Sequence, residues 1–522
     1  MARVLLINAP GNVPGVMPAK LGRWIPGEQL GLCSLAATLR SDHDVVEILD
    51  ACMLGWTAEQ TAENVLRRSA ALDVVGFSIS DGKQHGAAHC LEKLSALSAN
   101  IHLTAGGHTA TLCAGEFLRR FPRLNSVIRG EGELAVRELC RHLDHKNTWQ
   151  DIPGLSTLNV NGHVQHNPLA PIDLSQLPFP TRDNIELCQQ QGFSVAIETS
   201  RGCKGYCTFC AARLLHVSPG DRAVWRARPA EHVLDELEQL VRVHGLRRIS
   251  FEDEDFLGWG IDEGFERARQ IAHGIIDRQI SLEFSFLTRA DNIDYELLLL
   301  LKQAGLRFIF LGVESGSQHS LSRFAKQTSV QQNILAIQTL QKLKIDHEIL
   351  FIMYEPDTTI EDIEANLQFL NYVNGLNINL LNSMVVYHGT PMHTSMARKN
   401  RLSGDFLDYS YEFQDPRVTQ FKKHANLGLS GFYRVLRYMD AIRWQIGENN
   451  DLSRTLSLLS QRLHFTASGW VWKLLAFVKD GTEPSILLEE ASCLANHTAA
   501  MLAKIVDGWP AAMELSERKE VL

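Results

Sequence analysis

Short apolar runs alternate with segments of helical periodicity along the first 150 residues of the chain. The apolar runs are bounded by Gly, Pro, Asn or Asp, as buried strands are, and lie at residues 4–7, 45–49, 74–78, 101–104 and 126–128. Between them, apolar residues recur at helical spacing over residues 30–39, 58–70 and 87–98. This alternation predicts a doubly wound, Rossmann-like α/β domain over residues 1–150, with ligands bound at the carboxyl ends of its strands.

Residues 151–192 show little periodicity of either kind. They are rich in chain-breaking residues, namely Pro153, Gly154, Gly162, Pro168, Pro171, Pro178 and Pro180. We therefore expect a linker between two domains.

The strand–helix alternation resumes over residues 193–400. Six apolar runs predict strands, at residues 193–197, 248–251, 283–287, 307–313, 348–353 and 377–386. Polar residues follow most of these runs directly. The pattern predicts a partial (β/α)6 TIM-type barrel with its site on the face formed by the strand ends.

From residue 401 to 522 only helical periodicity remains. Phe432, Val435, Leu436, Met439 and Ile442 illustrate it. We expect a small helical C-terminal domain, with the following aromatic residues in its core: Tyr433, Tyr438, Trp444, Trp470 and Trp472.

Composition and charge narrow the class of protein. The chain has 522 residues, 45% of them hydrophobic, and a net charge of −9, which argues against a general nucleic-acid binder. The densest apolar run, residues 297–301, is too short to span a membrane, and no basic and apolar leader opens the sequence. We therefore expect a cytoplasmic protein with no membrane span, whose ten cysteines are reduced.

Three of those cysteines are clustered directly after the predicted strand at residues 193–197. Cys203, Cys207 and Cys210 follow a C-x-x-x-C-x-x-C spacing, which allows three thiolates to hold one metal centre and leave a position open. On spacing alone, two alternatives remain: a structural zinc site completed by His216, and three unrelated thiols.

Polar residues with complementary chemistry follow three later strands of the same domain. These residues are Glu252, Asp253, Arg289, Glu314 and Ser315. Carboxylates accept hydrogen bonds from ammonium and hydroxyl groups, and Arg pairs with a carboxylate. The set therefore suits a ligand that carries an amine, a carboxylate and a ribose.

Three loops of the first domain resemble the signature of cobalamin-binding domains, which is D-x-H-x-x-G, then S-x-L, then G-G. They are Asp50-Ala-Cys52-Met-Leu-Gly55, Ser78-Ile-Ser80 and Gly106-Gly107-His108. Cys52 replaces the histidine that ligates cobalt, so the resemblance implies cobalamin without a histidine ligand from that loop. The alternative is a generic flavodoxin-like domain. A further sequence, Gly130-Glu-Gly-Glu-Leu-Ala135, matches the dinucleotide pattern G-x-G-x-x-A, but it follows the last strand and its carboxylates would face a pyrophosphate.

Taken together, residues 195–395 resemble the radical S-adenosylmethionine superfamily, and the first 400 resemble its cobalamin-dependent branch. Leu311-Gly-Val-Glu-Ser-Gly-Ser317 and Tyr387-His-Gly-Thr-Pro391 are close to strand-end patterns of that family, whereas Phe351-Ile-Met-Tyr-Glu-Pro-Asp-Thr departs from its usual glycines. The resemblance implies that the three cysteines hold a 4Fe–4S cluster. It also implies that Glu252 or Asp253 binds the ammonium of S-adenosylmethionine, Arg289 its carboxylate or ribose, and Glu314 its ribose.

The resemblance further implies a reaction class. We expect a methyltransferase that acts on an unactivated carbon of a natural product, peptide or lipid through a 5′-deoxyadenosyl radical and methylcobalamin, with electrons from a flavodoxin or ferredoxin. Alternatives are a cyclase or rearranging enzyme with the same cofactors, and a cobalamin sensor with structural zinc. A methylthiotransferase would need a second cysteine triad in the first domain, for which Cys33, Cys52 and Cys90 lack suitable neighbours.

Overall fold

The computed structural model describes most of the chain. The described residues are 1–11, 27–98, 100–144, 149–216, 225–258, 262–375, 378–446, 451–482 and 485–506.

The N-terminal region is a doubly wound α/β domain, as predicted. Its elements are β1 (Arg3–Asn8), α1 (Leu30–Ser41), β2 (Val45–Asp50), α2 (Ala58–Arg68), β3 (Val74–Ser78), α3 (Gln84–Lys93), β4 (His102–Gly106), α4 (His108–Leu112), α5 (Ala114–Arg120), β5 (Ser126–Ile128) and α6 (Glu133–Asp144). The five strands are parallel in the order β2-β1-β3-β4-β5. Leu5 and Ile7 face the core under α2 and α3, and Val4 and Leu6 face the core under α1 and α6. Alternate residues of β1 are thus buried on opposite faces, which is why the strand is apolar throughout.

The predicted linker contains regular structure that its composition concealed. β6 (Leu155–Leu158) and β7 (Val164–His166) form a hairpin that extends the first sheet through an antiparallel pairing of β6 with β5. Gly162, with φ of +74°, closes the turn of this hairpin. The predicted linker over 151–192 therefore contains two strands that its low periodicity did not predict, and α7 (Ile185–Gln191) follows before the next sheet.

The central region contains a second parallel sheet. Its elements are β8 (Val195–Ile197), β9 (Ser200–Arg201), α8 (Ala212–His216), β10 (Arg226–Ala227), α9 (Ala230–Arg242), β11 (Arg248–Phe251), α10 (Asp262–Asp277), β12 (Glu283–Arg289), α11 (Tyr295–Gln303), β13 (Leu306–Glu314), α12 (Gln318–Arg323), α13 (Val330–Leu343), β14 (Asp346–Phe351), α14 (Ile360–Tyr372) and α15 (Pro391–Arg398). The sheet order is β14-β13-β12-β11-β8, with all neighbours parallel.

The sixth predicted strand of this sheet does not form as a strand. Asn377 lies outside the described residues, Ile378–Leu381 form a 3-10 turn, and Ser383 makes a single parallel bridge to Tyr354. The barrel is therefore partial, with five strands among the residues described. Residues 378–386 are rich in apolar side chains because Leu380, Met384 and Val386 are buried in hydrophobic clusters, although the segment is not a strand.

The C-terminal region is largely helical, as predicted, but begins with a hairpin that was not expected. The hairpin consists of β15 (Leu402–Asp405) and β16 (Asp408–Tyr411), and the helices are α16 (Pro416–Ile446), α17 (Asp451–Lys479) and α18 (Ser485–Val506). Trp470 is buried and its indole N–H donates to the carbonyl of Leu487 at 2.7 Å. Tyr433 is also buried, Tyr438 and Trp472 are half-buried, and the side chain of Trp444 lies outside the description. Among the described helices, none is long and apolar enough to cross a membrane.

Candidate functional site

A cavity of about 800 Å³ separates the carboxyl ends of the two parallel sheets. Loops from both sheets line it. From the N-terminal domain come Asp50, Cys52, Ser78, Ser80, Gly106, Gly107 and His108, and from the central region come Glu198, Arg201, His216, Glu252, Asp253 and Glu254. Every predicted cobalamin-site residue except Gly55 therefore faces one cavity.

Hydrogen bonds to Asp50 shape the loop after β2, in which Cys52 stands at the histidine position of the cobalamin signature. Asp50 Oδ1 accepts hydrogen bonds from Asn8 Nδ2 at 2.7 Å and from the backbone N–H of Met53 at 2.8 Å, while its Oδ2 is buried without a partner. Burial raises the pKa of the Asp50 carboxyl group. Burial also raises the pKa of Cys52, so its side chain is a neutral thiol. Gly55, with φ of +66°, ends the loop.

Glycine at the end of β4 allows two loops to approach closely. A Cβ on Gly107, whose φ is +89°, would lie 2.8 Å from the carbonyl oxygen of Ile79, between Ser78 and Ser80. The next residue, His108, begins α4 and is exposed to the cavity. The protein around its ring desolvates it and lowers its pKa, so the imidazole is neutral near pH 7.

These features fit a cobalamin cofactor. The cavity is large, and small residues line it at the edge of the first sheet. Asp50 Oδ2 is buried and has no hydrogen-bond partner in the protein, so it can accept a hydrogen bond from a ligand. Cys52 stands where a ligand histidine is expected, and its desolvated thiol is a poor substitute because a metal binds the thiolate.

The three clustered cysteines lie between β9 and α8, beside the cavity rather than in its lining. Cys203 Sγ accepts a hydrogen bond from the N–H of Gly205 at 3.3 Å. A Cβ on Gly205 would lie 3.3 Å from Cys203 Sγ and 3.8 Å from Cys207 Sγ, so both sulfurs face the same point. Burial raises the pKa of Cys203 to about 12 and that of Cys210 to about 11. A cationic centre is therefore needed to deprotonate them, as for a metal cluster.

The alternative zinc site completed by His216 finds no support in this geometry. His216 Nδ1 lies 3.2 Å from Glu131 Oε1 and its Nε2 lies 2.6 Å from Glu254 Oε1, so both ring nitrogens are engaged. Within the described ranges, no three His, Cys, Asp or Glu side chains converge on a single-ion site. A cube-shaped cluster takes one thiolate per iron and does not require such convergence.

Two buried cations adjoin the cysteine loop. Arg289, at the end of β12, has Nη1 at 3.8 Å from Cys207 Sγ, and Asp291 holds its guanidinium through two hydrogen bonds of 2.8 Å. Lys326 has Nζ at 2.8 Å from Glu314 Oε1. Each cation is paired with a carboxylate, and each still acts on a thiol: Arg289 opposes the rise in the pKa of Cys203, and Lys326 opposes that of Cys210.

Lys326 was not predicted from the sequence. It lies between Ala325 and Gln327, which have φ of +50° and +58°, values that are uncommon for residues with a side chain. This backbone turns the lysine inward, where it is 4% exposed. A single lysine in a polar loop gives no sequence signal of such a position.

The first three acidic residues after β11 point in different directions. Glu252 is exposed to the cavity, and desolvation by the surrounding protein raises its pKa to about 7. Asp253 instead accepts from the N–H of Thr199 at 2.7 Å and the hydroxyl of Ser200 at 2.9 Å. Glu254 accepts from the N–H of Gly202 at 3.0 Å. Of the two carboxylates expected to meet the ammonium, only Glu252 has oxygens left for a ligand.

Ser315 has a structural role as well. It is fully buried, its hydroxyl donates to Asn366 Oδ1 at 2.8 Å, and it accepts from the N–H of Ser317 at 3.1 Å. Its hydroxyl is therefore engaged within the protein, and its contact with a cofactor stays a prediction. Glu314, the residue before it, has φ of +67° where β13 shifts register against β14. This bulge turns the carboxylate toward Lys326.

Two family models match the chain in the regions just described. The B12 binding domain matches residues 26–140, and the radical SAM superfamily matches residues 197–370. The second match covers the cysteine loop and every strand from β9 to β14. A radical SAM domain uses a 4Fe–4S cluster and S-adenosylmethionine, and a B12-binding domain uses cobalamin.

Curated relatives align with about two thirds of the chain or more. An uncharacterised methyltransferase of Pyrococcus horikoshii is 28% identical over 348 residues, which are 66% of this chain and 73% of that protein. The 4′-phospho-dehydrooxetanocin synthase of Priestia megaterium is 29% identical over 381 residues, which are 67% of this chain but only 49% of the synthase. The anaerobic magnesium-protoporphyrin IX monomethyl ester cyclase of Synechocystis is 26% identical over 386 residues, 71% of this chain and 72% of the cyclase.

Solved structures share the fold. The cobalamin-dependent radical enzyme OxsB, bound to aqua-cobalamin and S-adenosylmethionine, superposes with a TM-score of 0.76 at 20% identity, over 100% of this chain and 81% of OxsB. The radical methyltransferase TsrM of Kitasatospora setae gives a TM-score of 0.63 at 18% identity over 76% of each chain. The chain therefore combines a B12-binding domain with a radical SAM domain, the combination expected of cobalamin-dependent radical S-adenosylmethionine enzymes.

Proposed function

We propose that the protein transfers a methyl group to an unactivated carbon of a natural-product, peptide or lipid substrate. One observation carries the proposal: the cavity is shared by the cobalamin-type loops and by the ends of the strands beside the cysteine loop. A substrate held between them would be within reach of a radical formed on one side and a methyl donor on the other.

The chain offers a ligand set for each group. Cys203, Cys207 and Cys210 would hold three irons and leave the fourth to the amino-acid part of S-adenosylmethionine. Glu252 would accept a hydrogen bond from its ammonium group. Glu314, which is paired with Lys326, would accept hydrogen bonds from its ribose hydroxyls. When bound, the cofactors supply reductive cleavage of S-adenosylmethionine to a carbon radical and a methyl group carried on cobalt.

The protein's own contribution is to orient these groups and exclude water. Cys203 and Cys210 are desolvated, and Arg289 and Lys326 place positive charge beside the cluster loop without reaching bulk water. A dry site of this kind protects a reactive radical from quenching. The electrons would come from a flavodoxin or ferredoxin, as expected of a cytoplasmic enzyme.

A second candidate function is a cyclisation or rearrangement with the same cofactors. Two relatives favour it, because neither is named as a methyltransferase: one is the synthase of Priestia megaterium and the other is the cyclase of Synechocystis. The two candidates differ in the mass of the product.

The test is anaerobic turnover with deuterated-methyl S-adenosylmethionine and a small-molecule extract of the source organism. Methylation predicts a product in which one hydrogen on carbon is replaced by the CD3 group of the donor. A product of unchanged or dehydrogenated mass would overturn methylation in favour of cyclisation or rearrangement. A variant with all three clustered cysteines replaced by Ala serves as the control and should form neither product.

A further inference from the structure

The loop Gly130–Glu133 matched a dinucleotide pattern in the sequence, yet the structure gives its two carboxylates other partners. Glu131 and Glu133 lie at the carboxyl edge of the first sheet, and their side chains are each 4% exposed. Both point toward the segment that contains the cysteines. The sequence between β5 and α6, which also lines the cavity, therefore connects the first sheet to the segment around the cysteines.

Glu133 holds the segment that leads into the cysteines. Its Oε1 lies 2.6 Å from Nη2 of Arg201, two residues before Cys203, and it also accepts from the hydroxyl of Ser34 at 2.9 Å. Arg201 is buried and is bound on its other side by Glu198 at 2.6 Å. Such a buried, charge-assisted pair tolerates little displacement.

Glu131 holds the segment that leaves the cysteines. It pairs with His216, the last residue of α8, and α8 begins two residues after Cys210. Burial raises the pKa of Glu131, but hydrogen bonds from His216 and Arg226 outweigh it and lower the pKa to about 2. Burial lowers the pKa of His216, but its bonds to Glu131 and Glu254 raise it to about 9. The pair is therefore an ionic one at neutral pH.

Glu254 closes the arrangement from the second sheet. One of its oxygens binds His216 and the other accepts from the N–H of Gly202, the residue before Cys203. Gly130 permits the close approach, because a Cβ there would lie 3.0 Å from the carbonyl oxygen of Leu215 and its φ is +70°. Both ends of the cysteine loop are thus fixed to the cobalamin domain.

We propose that Glu131 and Glu133 are positioning residues that hold the cysteine loop in register with the cobalamin cavity. Together they fix the separation between the iron–sulfur cluster and cobalt, on which delivery of a methyl group to a substrate radical depends. The inference rests on the proposed occupancy of the two sites. It does not depend on which substrate is used.

The test measures the separation of the two cofactors without any substrate. Glu131→Gln and Glu133→Gln remove charge at constant size, and Gly130→Ala displaces the loop at constant charge. Glu138→Gln is the matched control, since Glu138 lies on α6 but pairs with Arg141 at the surface. Each reconstituted protein is analysed for iron, sulfide and cobalamin content. Its cob(II)alamin signal is then recorded by pulsed electron paramagnetic resonance with the cluster reduced.

The wild type and Glu138→Gln should show one narrow distribution of cluster–cobalt distances. The Glu131, Glu133 and Gly130 variants should retain both cofactors but lose that single narrow distribution. Full cofactor content with an unchanged distribution in all three variants would overturn the positioning role and leave the proposed function intact. Failure of the wild type to bind either cofactor would overturn both. If one Gln variant does not fold, Gly130→Ala and the other Gln variant decide.

Discussion

Replacing Arg182 with Met is expected to destabilise the protein far more than removing the surface ion pair beside it. Arg182 lies between the two sheets, with a side chain 7% exposed. Its Nη1 binds Glu28 Oε2 at 2.9 Å, just before α1, and its Nη2 binds Glu236 Oε1 at 2.7 Å on α9. One guanidinium therefore joins two carboxylates that are both buried and belong to different domains.

The magnitude follows from what the substitution leaves behind. Glu236 keeps a second partner, Arg228, at 2.6 Å. Glu28 loses the one ion pair that it makes with a described residue, and its other oxygen is buried without a hydrogen-bond partner. Stranding a buried charge in this way costs about 3–5 kcal/mol. The control is Arg40→Met, which breaks the pair of Arg40 with Asp183; these side chains are 36% and 33% exposed. Its loss is expected to cost about 0.2–1 kcal/mol.

The pH dependence gives an independent check on the cause. Burial raises the pKa of Glu28, and Arg182 is the main group that opposes this rise, so its removal raises the pKa further. A carboxyl group whose pKa is raised by folding contributes stability at low pH that is lost as the pH rises through its folded pKa. The deficit of Arg182→Met should therefore be larger near pH 8 than near pH 5.

Urea unfolding of the full chain, followed by far-ultraviolet circular dichroism at both pH values, measures these free energies. The reasoning is refuted if Arg182→Met loses no more stability than Arg40→Met. It is refuted equally if the deficit shrinks as the pH rises.

Three further predictions concern the cofactor sites and the C-terminal helices. Cys52→His should place a nitrogen ligand on cobalt. The electron paramagnetic resonance signal of cob(II)alamin should then show nitrogen splitting in the variant and none in the wild type. Nitrogen splitting in the wild type would contradict this prediction. Because the pKa of Glu252 is raised to about 7, equilibrium dialysis should show S-adenosylmethionine binding that strengthens as the pH rises through that value, whereas Glu252→Gln should bind about tenfold more weakly without that slope. An unchanged slope would remove Glu252 from the ammonium site. Gly428→Ala places a Cβ 2.2 Å from the ring of Trp470 and should cost about 1–3 kcal/mol in thermal unfolding, while Gly469→Ala, with open space around it, should gain about 0.5–1 kcal/mol.

Most strands of the two parallel sheets could be predicted from the sequence because they are buried on both faces, whereas the edge strands β2 and β14 are partly exposed. The predicted bounds of β3, β5 and β11 match the structure, and those of the other parallel strands differ by a few residues. The two hairpins were missed because their strands are short and half polar, as in Asp408–Tyr411 at the surface. The run at 377–386 was taken for a strand because apolar content reports burial rather than conformation.

The candidate site was predictable only where local sequence fixes the chemistry. The cysteine spacing and the loops at Asp50 and Gly107 depend on neighbouring residues, and the structure places them around one cavity and its adjoining loop. Which acidic residue after β11 faces a ligand depends on distant partners, so Asp253, bound to Thr199, could not be told apart from Glu252. Lys326 was missed for the same reason.

The most direct test of the account is the formation of 5′-deoxyadenosine from S-adenosylmethionine. The protein is reconstituted anaerobically with iron, sulfide and cobalamin, reduced strongly, and analysed by mass spectrometry. We predict 5′-deoxyadenosine from the wild type and none from a variant in which Cys203, Cys207 and Cys210 are replaced by Ala. Absence of 5′-deoxyadenosine from a wild type that contains its cluster, or zinc without iron and sulfide in the cysteine loop, would contradict the radical chemistry.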